Sequence, residues 1–378
     1  MKRLTLIAAI FAFVSAPSFA ADEDKVEPGF NEQTFKGLEM RSIGPAFMSG
    51  RISDIAIDPN DQSTWYVGVG SGGVWKTVNE GTTWEAIFEN EDAYSIGCVT
   101  IDPGNSNTIW VGTGENICGR HVGYGAGVYL SLDGGRNWDN MGLENSEHIG
   151  MIRVDPRDSN IVFVAAQGPL WSGGGDRGLF KSTDGGKNWR KVLGDGHGNT
   201  ELDDQYTGVS EVHMDPRNPD VMYAVTWQRF RNVAVLLDGG PATGIHKSED
   251  GGETWRELTE GLPEEIMAKT GLAISPQNPD VLYATVELAN RTGAMYRSED
   301  GGESWVKGAD YAAGGTGPHY YNELWPSPHQ FDRVYHADVN LHVTEDGGKT
   351  MQKLAHDTKH VDHHAMAFDP DDENYILV

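Results

Sequence analysis

Cysteine, positive charge and long apolar runs are all scarce in this 378-residue chain. Only Cys98 and Cys118 occur, without CxxC or paired Cys/His spacing, which excludes a disulfide-dense scaffold and a thiolate zinc site. The even pair leaves two readings open: one disulfide between Cys98 and Cys118, or two buried thiols. Lys and Arg number 29 against 56 Asp and Glu, a net charge of −27. Nucleic acid and anionic membrane surfaces recruit basic patches, so neither is expected as a partner. No apolar run is long enough to cross a bilayer, and no membrane insertion is expected. The longest, residues 4–14, follows Lys2 and Arg3 and precedes the small-residue stretch Pro17-Ser18-Phe19-Ala20. That order reads as an export signal cleaved after Ala20, hence a secreted or periplasmic protein, with residues 21–37 as a linker. HExxH and nucleophile-elbow motifs are also missing. GSGGVWK (70–76) is glycine-dense but joins two strands, where a phosphate loop would open a helix. No cofactor is expected.

Glycine and tryptophan, by contrast, are plentiful, at 48 and 11 residues. Many belong to one phrase: TVNEGTTW (77–84), SLDGGRNW (131–138), STDGGKNW (182–189), SEDGGETW (248–255), SEDGGESW (298–305) and TEDGGKTM (344–351). The copies stand about fifty residues apart, a period that signals a repeat architecture. A second phrase alternates with the first: IDPNDQSTWYVGV from Ile57, IDPGNSNTIWVGT from Ile101, VDPRDSNIVFVAA from Val154, MDPRNPDVMYAVT from Met214 and ISPQNPDVLYATV from Ile274. Weaker forms begin at Trp325 and Phe368.

Each repeat parses into four short strands. GRISDIAI (50–57), TWYVGV, GVWKT and TWEAIF alternate with a proline turn, a glycine-rich connection and the repeated phrase. Four antiparallel strands repeated radially describe a propeller blade. The phrase itself suits a tight corner. Asp133, Asp184, Asp250, Asp300 and Asp346 can fold their carboxylates onto turn N–H groups. The glycines allow positive φ, and the closing Trp anchors the outer strand. A phrase repeated once per blade points to architecture rather than to an active site.

This pattern resembles the Asp-box of sialidases, xyloglucanases and sortilin-type receptors. The longer stretches 40–59, 70–84, 112–138, 165–189 and 360–370 resemble sortilin-type, Asp-box (BNR-like) propellers of secreted bacterial proteins, often labelled glycosyl hydrolase-like. The resemblance covers nearly everything after the export signal. It implies an all-β propeller over 38–378 with blades near 47–90, 93–142, 146–195, 206–262, 268–310 and 317–355, and a seventh begun at 361–378. It also implies that strand 38–45 closes the last blade. Proteins of this kind are longer, so the chain reads as part of a larger propeller. In xyloglucanases a catalytic Asp stands just before the Gly-Gly of the first blade's third strand; aligned on Gly72-Gly73, Gly70 and Ser71 stand there. The sialidase Arg-Ile-Pro signature reads Arg51-Ile52-Ser53. Neither hydrolase signature is intact.

Blade topology puts the proline turns and boxes on one rim. The irregular loops 112–127, 167–177, 194–206, 227–243, 309–321 and 356–364 fall on the other, where propeller ligands gather. Arg51, Arg120, His121, Trp171, Arg177, Trp227, Arg229 and Arg231 are ligand-binding candidates there, since Arg clamps carboxylates and Trp stacks on sugars or side chains. Local loop bracing is the other reading. His360, Asp362, His363 and His364 form a weaker metal candidate, although alternation sends His363 and His364 to opposite faces. Carboxylates off the boxes include Glu115, Asp176, Glu201, Asp203, Asp204 and Glu211, none of which sequence can pair. No catalytic residue is named. The expected function is a sortilin-like scaffold binding a protein, peptide or carbohydrate ligand. The alternative is a glycoside hydrolase, related to xyloglucanases or sialidases, whose active site further blades complete.

Overall fold

The computed structural model describes residues 50–194, 205–310 and 321–378. The export signal, the linker, strand 38–45 and Glu201, Asp203 and Asp204 lie outside them. Among the described residues, six antiparallel blades of four strands, the fourth with an added short strand, are followed by a two-stranded sheet, and the four-stranded blades are those the repeats predict. Blade 1 runs Ile52–Asp58, Asp61–Val69, Gly73–Thr77 and Glu85–Ala86. Blade 2 comprises Ile96–Asp102, Asn105–Thr113, Val128–Ser131 and Asp139–Asn140. Ile149–Asp155, Asp158–Ala166, Gly178–Ser182 and Arg190–Leu193 make blade 3. Thr207–Asp215, Asn218–Arg231, Gly244–Ser248 and Arg256–Leu258 make blade 4. Blade 5 is Met267–Ile274, Leu282–Leu288, Gly293–Ser298 and Val306–Asp310. Blade 6 is Glu323–Pro326, Val334–Ala337, Leu341–Thr344 and Gln352–Lys353. Ala367–Phe368 and Ile376–Leu377 form the last sheet.

Within a blade the chain moves outward one strand at a time, so innermost strands ring a central channel. Their free edges carry backbone donors that need partners. Side chains from the preceding blade supply some. The Asp54 carboxylate accepts from the Val99 N–H at 2.9 Å, and Glu211 accepts from the Leu272 N–H at 3.0 Å. Apolar clusters fill the spaces between blades, for example Tyr66, Val74 and Phe88 of blade 1 against Ile96, Val111 and Tyr129 of blade 2.

The repeated phrase makes the same turn each time. Asp133 Oδ1 accepts from the Asn137 N–H at 2.9 Å, while Ser131 Oγ accepts from the Gly135 N–H at 2.8 Å. Hydrogen bonds from Asn137 hold the Asp133 carboxyl down to about 2. The first glycine then donates to the same blade's proline turn, Gly134 to Asn107 at 2.9 Å and Gly251 to Asp220 at 2.9 Å. The two alternating phrases therefore meet at one corner. In blades 2 and 3 the tryptophan reaches the preceding blade, Trp138 donating to the Ile87 carbonyl at 2.7 Å and Trp189 to that of Met141 at 2.7 Å, while Trp255 of blade 4 donates to its own Gly252 carbonyl at 3.2 Å.

One open choice is decided and one expectation fails. Cys98 and Cys118 are both free and buried, Cys98 among the blade 2 and 3 side chains and Cys118 in a separate loop cluster. Burial pushes their thiols up, that of Cys118 to about 12, so they are inert apolar fillers rather than a disulfide. Residues 227–243, expected as loop, instead prolong blade 4's second strand to Arg231 and pair it with Leu236–Asp238 in a hairpin.

Candidate functional site

The rim opposite the boxes is dominated by the loop at 113–127, which leaves blade 2 and crosses the end of the channel. Glu115, Asn116, Ile117 and Cys118 are all buried there. Their backbone carbonyls lie outside any strand and need donors. His148 Nδ1 stands 3.0 Å from the Glu115 carbonyl. Lys269 Nζ approaches that of Asn116 at 3.5 Å, and Arg229 donates to that of Ile117 at 2.8 Å. Arg231 donates to the Cys118 carbonyl. Three cations thus hold one plug in the mouth of the channel.

This arrangement changes the standing of several candidates. Arg229, Arg231 and Trp227 are buried. Arg177, also buried, reaches the carbonyls of Gly174, Gln167, Ser172, Tyr206 and Pro169. A planar guanidinium with its fork directed at a loop's own carbonyls braces that loop. Trp227 donates to Asp238 at 3.0 Å and offers its ring to Arg229 and Lys269, at 5.1 and 5.5 Å. Of the eight candidates, Arg120 and His121 are exposed, and Trp171 and Arg51 are half-buried.

Arg51 forms a bidentate pair with Glu115, its Nε 2.5 Å from Oε1. The Tyr321 hydroxyl donates to the same Oε1 at 3.1 Å. Burial, then the Glu115 charge, pushes that phenol well above its usual range. The ring of His364 lies 4.2 Å from that of Tyr321, and burial holds this imidazole down at about 3. A side-chain carbon placed on Gly70 would stand 2.7 Å from Glu115 Oε1. Glu115 therefore fills the space that a side chain at position 70 would take.

The proposed metal group does not assemble. His360 is exposed and turns to the Val361 carbonyl at 2.5 Å, while His363 stacks on His356 at 5.3 Å. His364 points the other way, toward Tyr321. Successive side chains of an extended segment diverge, and positive φ at Asp362 (71°) turns the chain just before them. Among the described residues no three His, Cys, Asp or Glu side chains are placed to hold a metal ion.

Sequence reasoning overlooked the acidic group on the far side of the plug. Glu287 is the last residue but one of the second strand of blade 5, Asp238 closes the blade 4 hairpin, and Asp338 follows the second strand of blade 6. Burial, then the charges of Asp238 and Asp338, raises Glu287 to about 9. Burial raises Asp238 to about 7, against the pull of Trp227 and Arg229. Among the described residues neither Glu287 carboxyl oxygen has a hydrogen-bond partner. Only an acidic residue at the inward end of an otherwise apolar strand, in YATVEL, hinted at it.

No family model matches the chain. It is 25% identical over 294 residues to xyloglucanase Xgh74A of Acetivibrio thermocellus, covering 70% of this chain and 32% of that protein. It is 24% identical over 232 residues to an oligoxyloglucan-reducing end-specific xyloglucanase of Emericella nidulans, covering 57% and 25%. The chain thus spans a quarter to a third of the length of these relatives. Among solved structures, an ancestral GH74 enzyme superposes with a TM-score of 0.56 at 24% identity, over 78% of this chain and 36% of that one. A YCF48 protein bound to D1 peptide gives 0.52 at 17% identity, over 85% and 88%. At these identities the solved structures share the propeller fold with this chain.

Proposed function

We propose that this chain is a carbohydrate-directed propeller of the glycoside-hydrolase type, acting on or holding a xyloglucan-like polysaccharide at its loop-bearing rim outside the cytoplasm. The observation that carries this reading is the run of xyloglucanases among its curated relatives, one matched over 70% of the chain. The rim chemistry is compatible with it. Glycoside hydrolysis needs a carboxyl group that is protonated near neutrality and a second carboxylate. Burial raises Asp238 to about 7, toward the first class, and the Glu115 side chain stands over Gly70. Half-buried Trp171 offers a ring face for a sugar.

The test is native electrophoresis of the secreted chain through gels containing xyloglucan, with reducing ends measured in parallel. Retardation by xyloglucan that falls roughly tenfold in Trp171→Ala supports the reading. Reducing-end release that disappears in Asp238→Asn assigns hydrolysis to this rim. Neither retardation nor release with any plant polysaccharide overturns it.

A peptide-binding scaffold is the second reading. It is favoured by the superposition onto nearly all of a propeller carrying a bound peptide, 88% of that chain. Arg51, Arg120 and His121 would then meet an acidic peptide. The absence of a matching family model leaves the narrower sortilin likeness without support.

A further inference from the structure

Beneath the plug the central channel remains hollow. A cavity of about 520 Å³ runs from Asn116 to the opposite rim, where Pro103, Pro156, Pro216, Pro276 and Pro326 surround its mouth. Its lining is charged in an unusual way for an axial void. Arg153, from the innermost strand of blade 3, faces Asp54, Glu211 and Glu323 from blades 1, 4 and 6.

Most of these groups have structural partners, and what is left over is informative. Asp54 uses both carboxyl oxygens on backbone donors, those of Ile55 and Val99. Glu211 uses only Oε2, for the Leu272 N–H and His213, while its buried Oε1 has no partner among the described residues. The residue is about 1% exposed, so that oxygen has lost water without gaining a protein donor. Glu323 accepts from Asn116 on Oε1 at 2.8 Å, and Lys269 stands 3.9 Å from the same atom. Arg153 makes one hydrogen bond among the described residues, from Nη1 to the Ile152 carbonyl at 3.2 Å. The rest of its fork is turned to the cavity.

A lone anion would suit Arg153 but meet three carboxylates. A lone cation would suit the carboxylates but meet Arg153 and Lys269. A molecule carrying both charges a few bonds apart satisfies both sets. We propose that the central channel binds a small zwitterion of the amino-acid type, its carboxylate on Arg153 and its ammonium on Glu323. Bidentate pairing suits a planar carboxylate on guanidinium, and the partly open Glu323 side chain lines the cavity where an ammonium can donate to it. Met151, Met214 and Trp325 line the remaining wall and accept an apolar side chain.

A proton signature accompanies this binding. Burial, opposed by Lys269 and reinforced by Glu211 and Asp54, holds Glu323 above its ordinary range. An ammonium beside it favours the ionised form and draws it back down, so binding is accompanied by proton release.

The experiment is titration calorimetry of the wild-type chain with leucine, N-acetylleucine and leucinamide, at pH 7, in two buffers of different ionisation enthalpy. Leucine is expected to bind in the millimolar range or tighter, and each blocked form about tenfold more weakly. The buffer difference should report proton release. Arg153→Gln should lower leucine affinity about tenfold and leave leucinamide unchanged. No heat with leucine, equal binding of the blocked forms, or no proton release each overturns the proposal. If the variant does not fold, the blocked ligands and the proton count decide the matter on wild type alone. Xyloglucan takes no part in these readouts, so their failure leaves the rim reading intact.

Discussion

Glu287 is a buried carboxyl group with no hydrogen-bond donor among the described residues, and its cost is a function of pH. Its folded value is raised from 4.5 to about 9 by burial and by Asp238 and Asp338. A raised acid binds its proton more tightly when folded, so its contribution is fully present below pH 4.5. It is lost progressively as pH rises toward 9 and is level above that. Glu287→Gln removes the titration while keeping the shape. Urea unfolding should show wild type losing roughly 2–4 kcal/mol between pH 5 and pH 8.5, and the variant much less. Equal slopes in the two proteins would mean that Glu287 is not held neutral. The same residue-scale view explains the braces. Arg177 was legible as an arginine on a rim loop, but its direction was not. Guanidinium and carbonyl are both polar in sequence; only the fold shows that the loop's own carbonyls come first.

At the scale of the element, the box turn is where sequence and structure agree most closely, because its causes are local. Ser, Asp, two glycines and Trp lie within eight residues, so the phrase carries its own geometry. The two glycines are nevertheless unequal. Gly251 has φ of +70° with only the Asp220 carboxylate near a would-be Cβ, at 3.4 Å. Gly252 has φ of +81°, and a Cβ there would stand 2.7 Å from Phe163 of blade 3. Gly251→Asn should therefore cost under about 1 kcal/mol, since Asn tolerates this region. Gly252→Ala should cost roughly 2–4 kcal/mol, from left-handed strain together with overpacking. Thermal melts of the two variants check the order, and equal losses would mean that the blade contact is unimportant. The plug was illegible for the opposite reason. It depends on partners far away in sequence, such as Arg229 to Ile117 and Arg231 to Cys118.

Across the whole molecule, the same inter-blade devices recur around the ring. Arg157 of blade 3 meets Asp220 of blade 4 at 2.7 Å, and Arg217 of blade 4 meets Asp280 of blade 5 at 2.7 Å. These pairs are exposed and contribute little each. The apolar clusters between blades, helped in blades 2 and 3 by the tryptophan bonds, supply most of the adhesion. One seam is built differently. Where the last sheet meets blade 1, Leu377 and Val378 line an open apolar cavity of about 500 Å³ with Trp65, Trp75 and Trp84. Tryptophan edges that other blades cover face a hollow here. Repeat proteins open where a neighbour interface is weakest, since each unit is held only by the units beside it. Native-state hydrogen exchange should therefore find the lowest protection in Ala367–Phe368, Ile376–Leu377 and Glu85–Ala86, at opening energies well below the global value. The innermost strands of blades 3 and 4, buried on both faces, should exchange last. If blade 4 opens before the seam does, adhesion between blades is not what orders the stability of this ring. The long hairpin at Arg229–Arg231 would then be the place to look for the weakness.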